Sequence, residues 1–216
     1  MQKSSPLASR EIKAGYVWRD AEPEQSHSYL SPEVLRLLGL QDIALADRRL
    51  FDLGCGNGSL TSVVADHGWQ TTGVDVSEDG VHVARTARPD LRFDVGNAYE
   101  NLAEKFGQFP VVLSLEVVEH VYSPKRYAET LYSLVATGGV AIVSTPYHGY
   151  WKNLAMAVTG RLDAHFTALW EHGHIKFWSM KTLSTLLEDA GFRNITFSRV
   201  GRVPALAKSM VAMARK

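Results

Sequence analysis

A chain of 216 residues is long enough to bury one continuous core and short for two. Its 23 basic and 23 acidic residues cancel, which speaks against nucleic acid or an anionic membrane as an electrostatic partner, because both demand a basic excess. The lone Cys55 excludes an internal disulfide, MQKSSPLASREIK lacks the apolar stretch of a secretory signal, and no apolar run reaches membrane-spanning length, so a reducing cytoplasm is expected.

Strands and helices then take turns, without an internal repeat or low-complexity tract. A helix is expected over 32–38, ended by Gly39. RLFDL (49–53), QTTGVDV (70–76), LRFDV (91–95), PVVLSL (110–115) and GVAIVST (139–145) read as short strands rich in β-branched residues. Helices are expected between them over 59–67, 78–87, 99–106 and 124–136. This alternation predicts an α/β fold with a parallel sheet and right-handed crossovers. The rhythm breaks after Thr145 and resumes with a helix over 180–190 and strands over 194–200 and 209–214. Their short connection suits an antiparallel edge pair.

FDLGCGNGSL, residues 51–60, ends a strand in glycines and opens a helix. Gly54, Gly56 and Gly58 permit positive φ and close approach of backbone to a ligand, and the helix start presents unbonded N–H groups. Seventeen residues beyond Gly58, GVDVS delivers Asp75 at the end of the next strand, where a carboxylate can accept both vicinal hydroxyls of a ribose. An adenine nucleoside is the implied ligand. The third glycine arrives one place too early for the G-x-G-x-x-G of a dinucleotide site, so NAD fits poorly.

The D-x-G-x-G-x-G run from Asp52 resembles motif I of class I S-adenosylmethionine (SAM)-dependent methyltransferases. GVDVS resembles that family's acidic second motif, and GNAYE and LVATGGVAIVSTP resemble later ones. The resemblance covers about residues 48–201. It implies a Rossmann-like, seven-stranded, mostly parallel sheet in the order 3-2-1-4-5-7-6, with strand 7 antiparallel and helices on both faces. It also implies SAM as cofactor and S-adenosylhomocysteine as product, held by Asp52, Gly54, Cys55, Gly56, Asn57, Gly58, Asp75, Val76, Asn97, Ala98, Leu115 and Glu116. Cys55 itself reads as a small buried residue rather than a nucleophile. One domain is expected: an N-terminal helical cap (1–47), a SAM-binding core (48–145), an aromatic-rich lid (146–178), and a closing helix with the last two strands (179–216).

LSLEVVEHV sets Glu116, Glu119 and His120 at the end of strand 4, where ligands collect in such sheets. Within class I this segment resembles the ubiquinone-pathway O-methyltransferases, some of which hold a divalent metal with an E-x-x-E-H cluster. By that resemblance Glu116, Glu119, His120 and His174 or His172 are the implied ligands. Two carboxylates suit Mg²⁺, whereas two imidazoles suit Zn²⁺, Mn²⁺ or Fe²⁺ better. The alternative roles are His120 as general base or substrate-orienting group with Glu116 beside it, and a cluster that only caps the next helix.

Residues 146–178 hold seven of the chain's 21 aromatic residues and four of its eight histidines, a concentration that marks a cover for an apolar or planar acceptor. Tyr147, His148, Tyr150, Trp151, Trp170 and His174 are its candidate contacts, although each aromatic taken singly suits plain packing. The stretch 151–158 could also touch a membrane surface. The expected activity is methylation of a small-molecule acceptor, with a phenolic or lipid-like hydroxyl first. Nitrogen or carbon methylation of a natural product, or O-methylation of a sugar, comes next. RNA 2′-O-methylation and a nonenzymatic SAM-binding module are more remote. The sequence leaves monomer and homodimer open.

Overall fold

A computed structural model describes residues 18, 20–23, 25–166, 168–169 and 173–216. Seven strands run in the order β3-β2-β1-β4-β5-β7-β6. They are β1 (Arg49–Leu53), β2 (Gln70–Asp75), β3 (Arg92–Val95), β4 (Phe109–Leu115), β5 (Val135–Pro146), β6 (Arg193–Val200) and β7 (Ser209–Arg215). All pairs are parallel except those of β7, which runs antiparallel to β5 and β6. The order and the reversed strand are those the motifs imply.

The helices are α1 (His27–Gly39), α2 (Ser59–Asp66), α3 (Glu78–Ala87), α4 (Leu102–Phe106), α5 (Pro124–Leu134), α6 (Tyr150–Val158), α7 (Leu162–Phe166) and α8 (Met180–Asp189). Strand alternation sends neighbouring side chains to opposite layers. Leu50, Val111, Leu113, Val140 and Ile142 meet Leu30, Val34 and Leu37 of α1 and Leu60 and Val64 of α2. Phe51, Leu53, Val112, Ala141 and Val143 meet Tyr127 and Leu131 of α5 and Leu183 and Leu187 of α8. Central strands buried on both faces explain why the sequence reads there as unbroken apolar runs.

Local chemistry sets the helix starts. Ser77 caps α3 by accepting from the Gly80 N–H at 3.1 Å, with Glu78 and Asp79 in the first turn. Pro124 opens α5, and a reciprocal Ser179–Thr182 capping box opens α8.

Three boundaries differ from expectation. Helix α1 starts five residues early and runs through Pro32, because buried Leu30 extends its apolar face toward the sheet. Helix α4 starts at Leu102 rather than residue 99, since the Asn97 side chain accepts from the Tyr99 N–H at 3.0 Å and holds that stretch as a turn. Strand β5 absorbs residues 135–138 that the sequence divides between helix and turn, because Val135 pairs with Phe109 across a register shift.

Candidate active site

The carboxyl ends of β1, β2, β4 and β5 converge on one edge of the sheet. After β1 the chain turns through Gly54, Gly56 and Gly58 at φ of 86°, 53° and 72°, all left-handed. A side chain at 54 would run into Val117, so this glycine lets the loop after β4 pack against the turn. Asp75 at the end of β2 binds the turn directly: its Oδ2 accepts from the Gly56 N–H and its Oδ1 from the Ser77 N–H, each at 2.8 Å. Each oxygen retains acceptor capacity for a ribose hydroxyl. Burial raises the Asp75 pKa, opposed by those backbone donors. Val76, next along, is exposed at 58%.

The Asp52 and Asn57 side chains are both buried and held by protein partners. The Asp52 carboxylate is buried beneath the turn and accepts from Thr61 Oγ at 2.6 Å, tying β1 to α2. Burial pushes its pKa up to about 6. Asn57, also buried, donates to the Asp20 and Glu22 carbonyls at 3.0 Å and accepts from the Ser59 N–H at 3.2 Å. Both side chains shape the turn from within. Trp18 lies against Gly56 and Gly80, a neighbour the sequence does not signal. Burial pushes the Cys55 thiol up, in keeping with a packing role. Asn97, Ala98 and Leu115 are half-buried, with Ala98 and Leu115 against opposite core layers.

Glu116 leaves β4 at φ 54°, an uncommon conformation for a side chain with a Cβ. Ser144 of β5 holds it there. The Glu116 N–H donates to the Ser144 carbonyl at 3.1 Å and to its Oγ at 3.0 Å, and that hydroxyl donates to Glu116 Oε1 at 2.8 Å. Ser209 Oγ donates to Oε2 at 3.3 Å. Ser144 and Ser209 are absent from the sequence-derived site because only the folded sheet brings them to Glu116. Ser209 neighbours Lys208, which lines a cleft of about 680 Å³ with Ser59 of α2 and His27, Ser28 and Ser31 of α1. Glu119, His120 and His174 do not line that cleft.

Of the four implied metal ligands, three converge. One ligand atom each from Glu119, His120 and His174 lie within 4.8 Å of one another, while Glu116 is turned toward Ser144 and Ser209. His172 and Trp170 lie outside the described residues. Backbone stitching delivers His174: the Ile175 and Lys176 N–H groups both donate to the Glu119 carbonyl at 3.0 Å, and Trp178 Nε1 donates to the Val118 carbonyl at 3.1 Å. His120 Nδ1 donates to the Gly173 carbonyl at 3.2 Å, leaving Nε2 as the acceptor nitrogen of the ring.

Glu119 is 1% exposed, and among the described residues neither of its oxygens has a hydrogen-bond partner. Thr145 faces it without reaching hydrogen-bond geometry. Burial, helped by the Glu116 charge, drives its pKa well up. Burial, reinforced by the charges of His120 and His165, holds His174 down at about 4. One carboxylate and two imidazoles form a donor set suited to Zn²⁺, Mn²⁺ or Fe²⁺.

The residues expected to cover the acceptor separate into two groups. His148 packs with His165 and Phe177 at ring-centroid distances of 5.4 and 5.1 Å, and burial with the Lys152 charge lowers its pKa to about 4. Tyr147 is buried, and its carbonyl accepts from Lys152 Nζ at 2.9 Å. Tyr150 and Trp151 instead stand exposed on α6, which buries no residue at all.

A profile of the family described as "Methyltransferase domain" matches residues 22–196. The chain belongs to the class I SAM-dependent methyltransferases. This methyltransferase is 30% identical over 203 residues to the ubiquinone biosynthesis O-methyltransferase of Dinoroseobacter shibae, covering 90% of this chain and 76% of that protein. The same-named protein of Ruegeria sp. (strain TM1040) is 34% identical over 161 residues, 71% of this chain and 64% of that one. That of Caulobacter sp. (strain K31) is 39% identical over 126 residues, 56% and 48%. The methyltransferase thus spans about half to two thirds of the length of these last two relatives. Magnesium protoporphyrin IX methyltransferase from Synechocystis, solved with bound S-adenosylhomocysteine, shares the fold at a TM-score of 0.66 and 20% identity over 87% of this chain and 82% of its own. A Haemonchus contortus phosphoethanolamine N-methyltransferase shares it at 0.61 and 15%, over 87% and 52%. SAM is the cofactor of this family.

Proposed function

We propose that this methyltransferase transfers the methyl group of SAM to a phenolic or lipid-like hydroxyl, at a site formed by Glu116, Glu119, His120 and His174 beneath residues 146–178. The observation that carries this reading is the buried Glu119 carboxyl, without a partner among the described residues, meeting two imidazoles, one on the loop whose Val117 packs against Gly54 and one on the segment stitched to it. A buried carboxylate so placed is costly unless it binds an ion or keeps its proton. Similarity to proteins named ubiquinone biosynthesis O-methyltransferase supports the oxygen acceptor.

SAM supplies an electrophilic methyl on a sulfonium that is its own leaving group, so the chain's main task is alignment, which contributes roughly 7–11 kcal/mol. The left-handed turn at Glu116, braced by Ser144 and Ser209, fixes the floor between cofactor and acceptor. His120, oriented by Gly173, directs Nε2 toward the acceptor side, where withdrawing the hydroxyl proton contributes about 10²–10⁴-fold. An ion held by Glu119, His120 and His174 would occupy that same Nε2 lone pair, so it would replace the base rather than assist it, supplying Lewis acidity that favours the oxyanion.

The exposed Tyr150, Trp151, Leu154 and Val158 of α6, with Val203 and Leu206 nearby, support contact with a bilayer from which a lipid-like acceptor is collected. Among the described residues no helix is long and apolar enough to cross a membrane. A balanced charge and a single cysteine support a cytoplasmic enzyme without a nucleic-acid substrate. The test is release of S-adenosylhomocysteine with polyprenyl phenols and catechols as acceptors. Release with the free hydroxyl and none with its methyl ether is expected; equal release with both contradicts the oxygen acceptor.

A further inference from the structure

Besides Glu119, two more buried polar groups have no partner among the described residues: the Tyr127 hydroxyl and Thr145 Oγ. Tyr127 projects from α5 and is wholly buried, as is Thr145 near the end of β5. Ser114 lies next to the phenol, but its own hydroxyl donates to the Leu53 carbonyl at 2.8 Å. The Glu119 charge reaches Tyr127 strongly enough to help raise the phenol's pKa. Three buried groups from three elements therefore lack a partner among the described residues, with Thr145 facing Glu119 and the Glu119 charge acting on Tyr127, although buried polar atoms rarely go unpaired.

A phenylalanine at 127 would fill the same volume without burying a hydroxyl, and a valine at 145 would pack as well. Packing alone gives no reason for either oxygen. Both hydroxyls can donate, and the nearby carboxylate is an acceptor with several lone-pair positions.

We propose that Tyr127 and Thr145 are positioning residues that hold the inner side of the Glu119 carboxylate, directly or through one ordered water, and so aim it at an ion shared with His120 and His174. The proposal rests on the ion reading given above and extends it to residues that touch neither cofactor nor acceptor. A carboxylate supported in this way keeps its charge and rotamer when the ion arrives, and losing such support typically weakens metal affinity about 10- to 100-fold.

The test is calorimetric titration of chelator-stripped, full-length protein with Mn²⁺ and Zn²⁺, comparing wild type with Tyr127→Phe and Thr145→Val. S-adenosylhomocysteine affinity and the melting temperature serve as controls. Wild type is expected to bind, and each variant to bind about 10- to 100-fold more weakly while holding S-adenosylhomocysteine as before. A merely structural hydroxyl would change the melting temperature and leave ion affinity in place, and that outcome overturns the proposal. No uptake by wild type overturns the ion reading together with this extension of it.

Discussion

The His174 imidazole meets that of His120 edge to face, with ring centroids 5.0 Å apart, although 53 residues separate them in the chain. His120 lies in the loop after β4 and His174 comes from the far end of the aromatic segment, so their meeting joins those two segments. His120→Ala and His174→Ala should therefore each lower turnover, His120→Ala by about 10²–10⁴-fold, with S-adenosylhomocysteine affinity nearly intact. Paired turnover and calorimetric binding measurements check this. Normal turnover by His120→Ala on the true acceptor would remove His120 from the chemistry.

Asp75 should show the opposite behaviour. Its carboxylate accepts from Gly56 and Ser77; in the proposed cofactor role it also accepts ribose hydroxyls, and hydrogen bonds to a charged group contribute about 1.5–3 kcal/mol each. Asp75→Ala should weaken S-adenosylhomocysteine at least tenfold while sparing the acceptor side. Unchanged affinity by calorimetry would contradict the assignment.

At Gly58 the constraint is steric as well as conformational. A Cβ there would lie 2.7 Å from Ala84 Cβ and Phe93 Cζ, on a backbone at φ 72°. Gly58→Ala should cost roughly 1–3 kcal/mol of stability, seen as a lowered melting temperature. A wild-type melting temperature in that variant would show that the turn relaxes freely.

The acid side of the stability curve carries opposing contributions. His148 and His174, held at about 4 against an ordinary 6.5, stay neutral when folded while the unfolded chain takes up protons, so stability falls as pH drops from 6.5 to 4. Asp52, raised from 3.8 to about 6, takes up its proton when folded, so its contribution to stability grows as pH falls through that window. His148→Asn should flatten the acid decline in melting temperature, and Asp52→Asn should steepen it. Curves parallel to wild type in both variants would contradict these environments.

Local sequence made the frame of the site readable. Glycines 54, 56 and 58 carry the turn because only glycine takes those three φ values readily, and Asp75 follows at the end of the next strand. The strand order followed from the resemblance carried by those motifs. What stayed hidden depends on partners distant in the chain. Asp52 sits in the motif yet faces Thr61, and Glu116 belongs to an E-x-x-E-H run yet turns toward Ser144 and Ser209, two serines that look like ordinary strand residues. Helix α1 running through Pro32, and the stitching of His174 to the Glu119 backbone, are likewise settled by packing rather than by local propensity.

The proposed reaction transfers a methyl group to an acceptor oxygen at the site between the glycine turn and His120. The most direct test gives the enzyme ¹³C-methyl SAM and a polyprenyl catechol, then locates the label by NMR. A methoxy carbon in the wild-type product, strongly reduced with His120→Ala, is the predicted result. Label on carbon or nitrogen, or equal labelling by wild type and His120→Ala, would contradict the account.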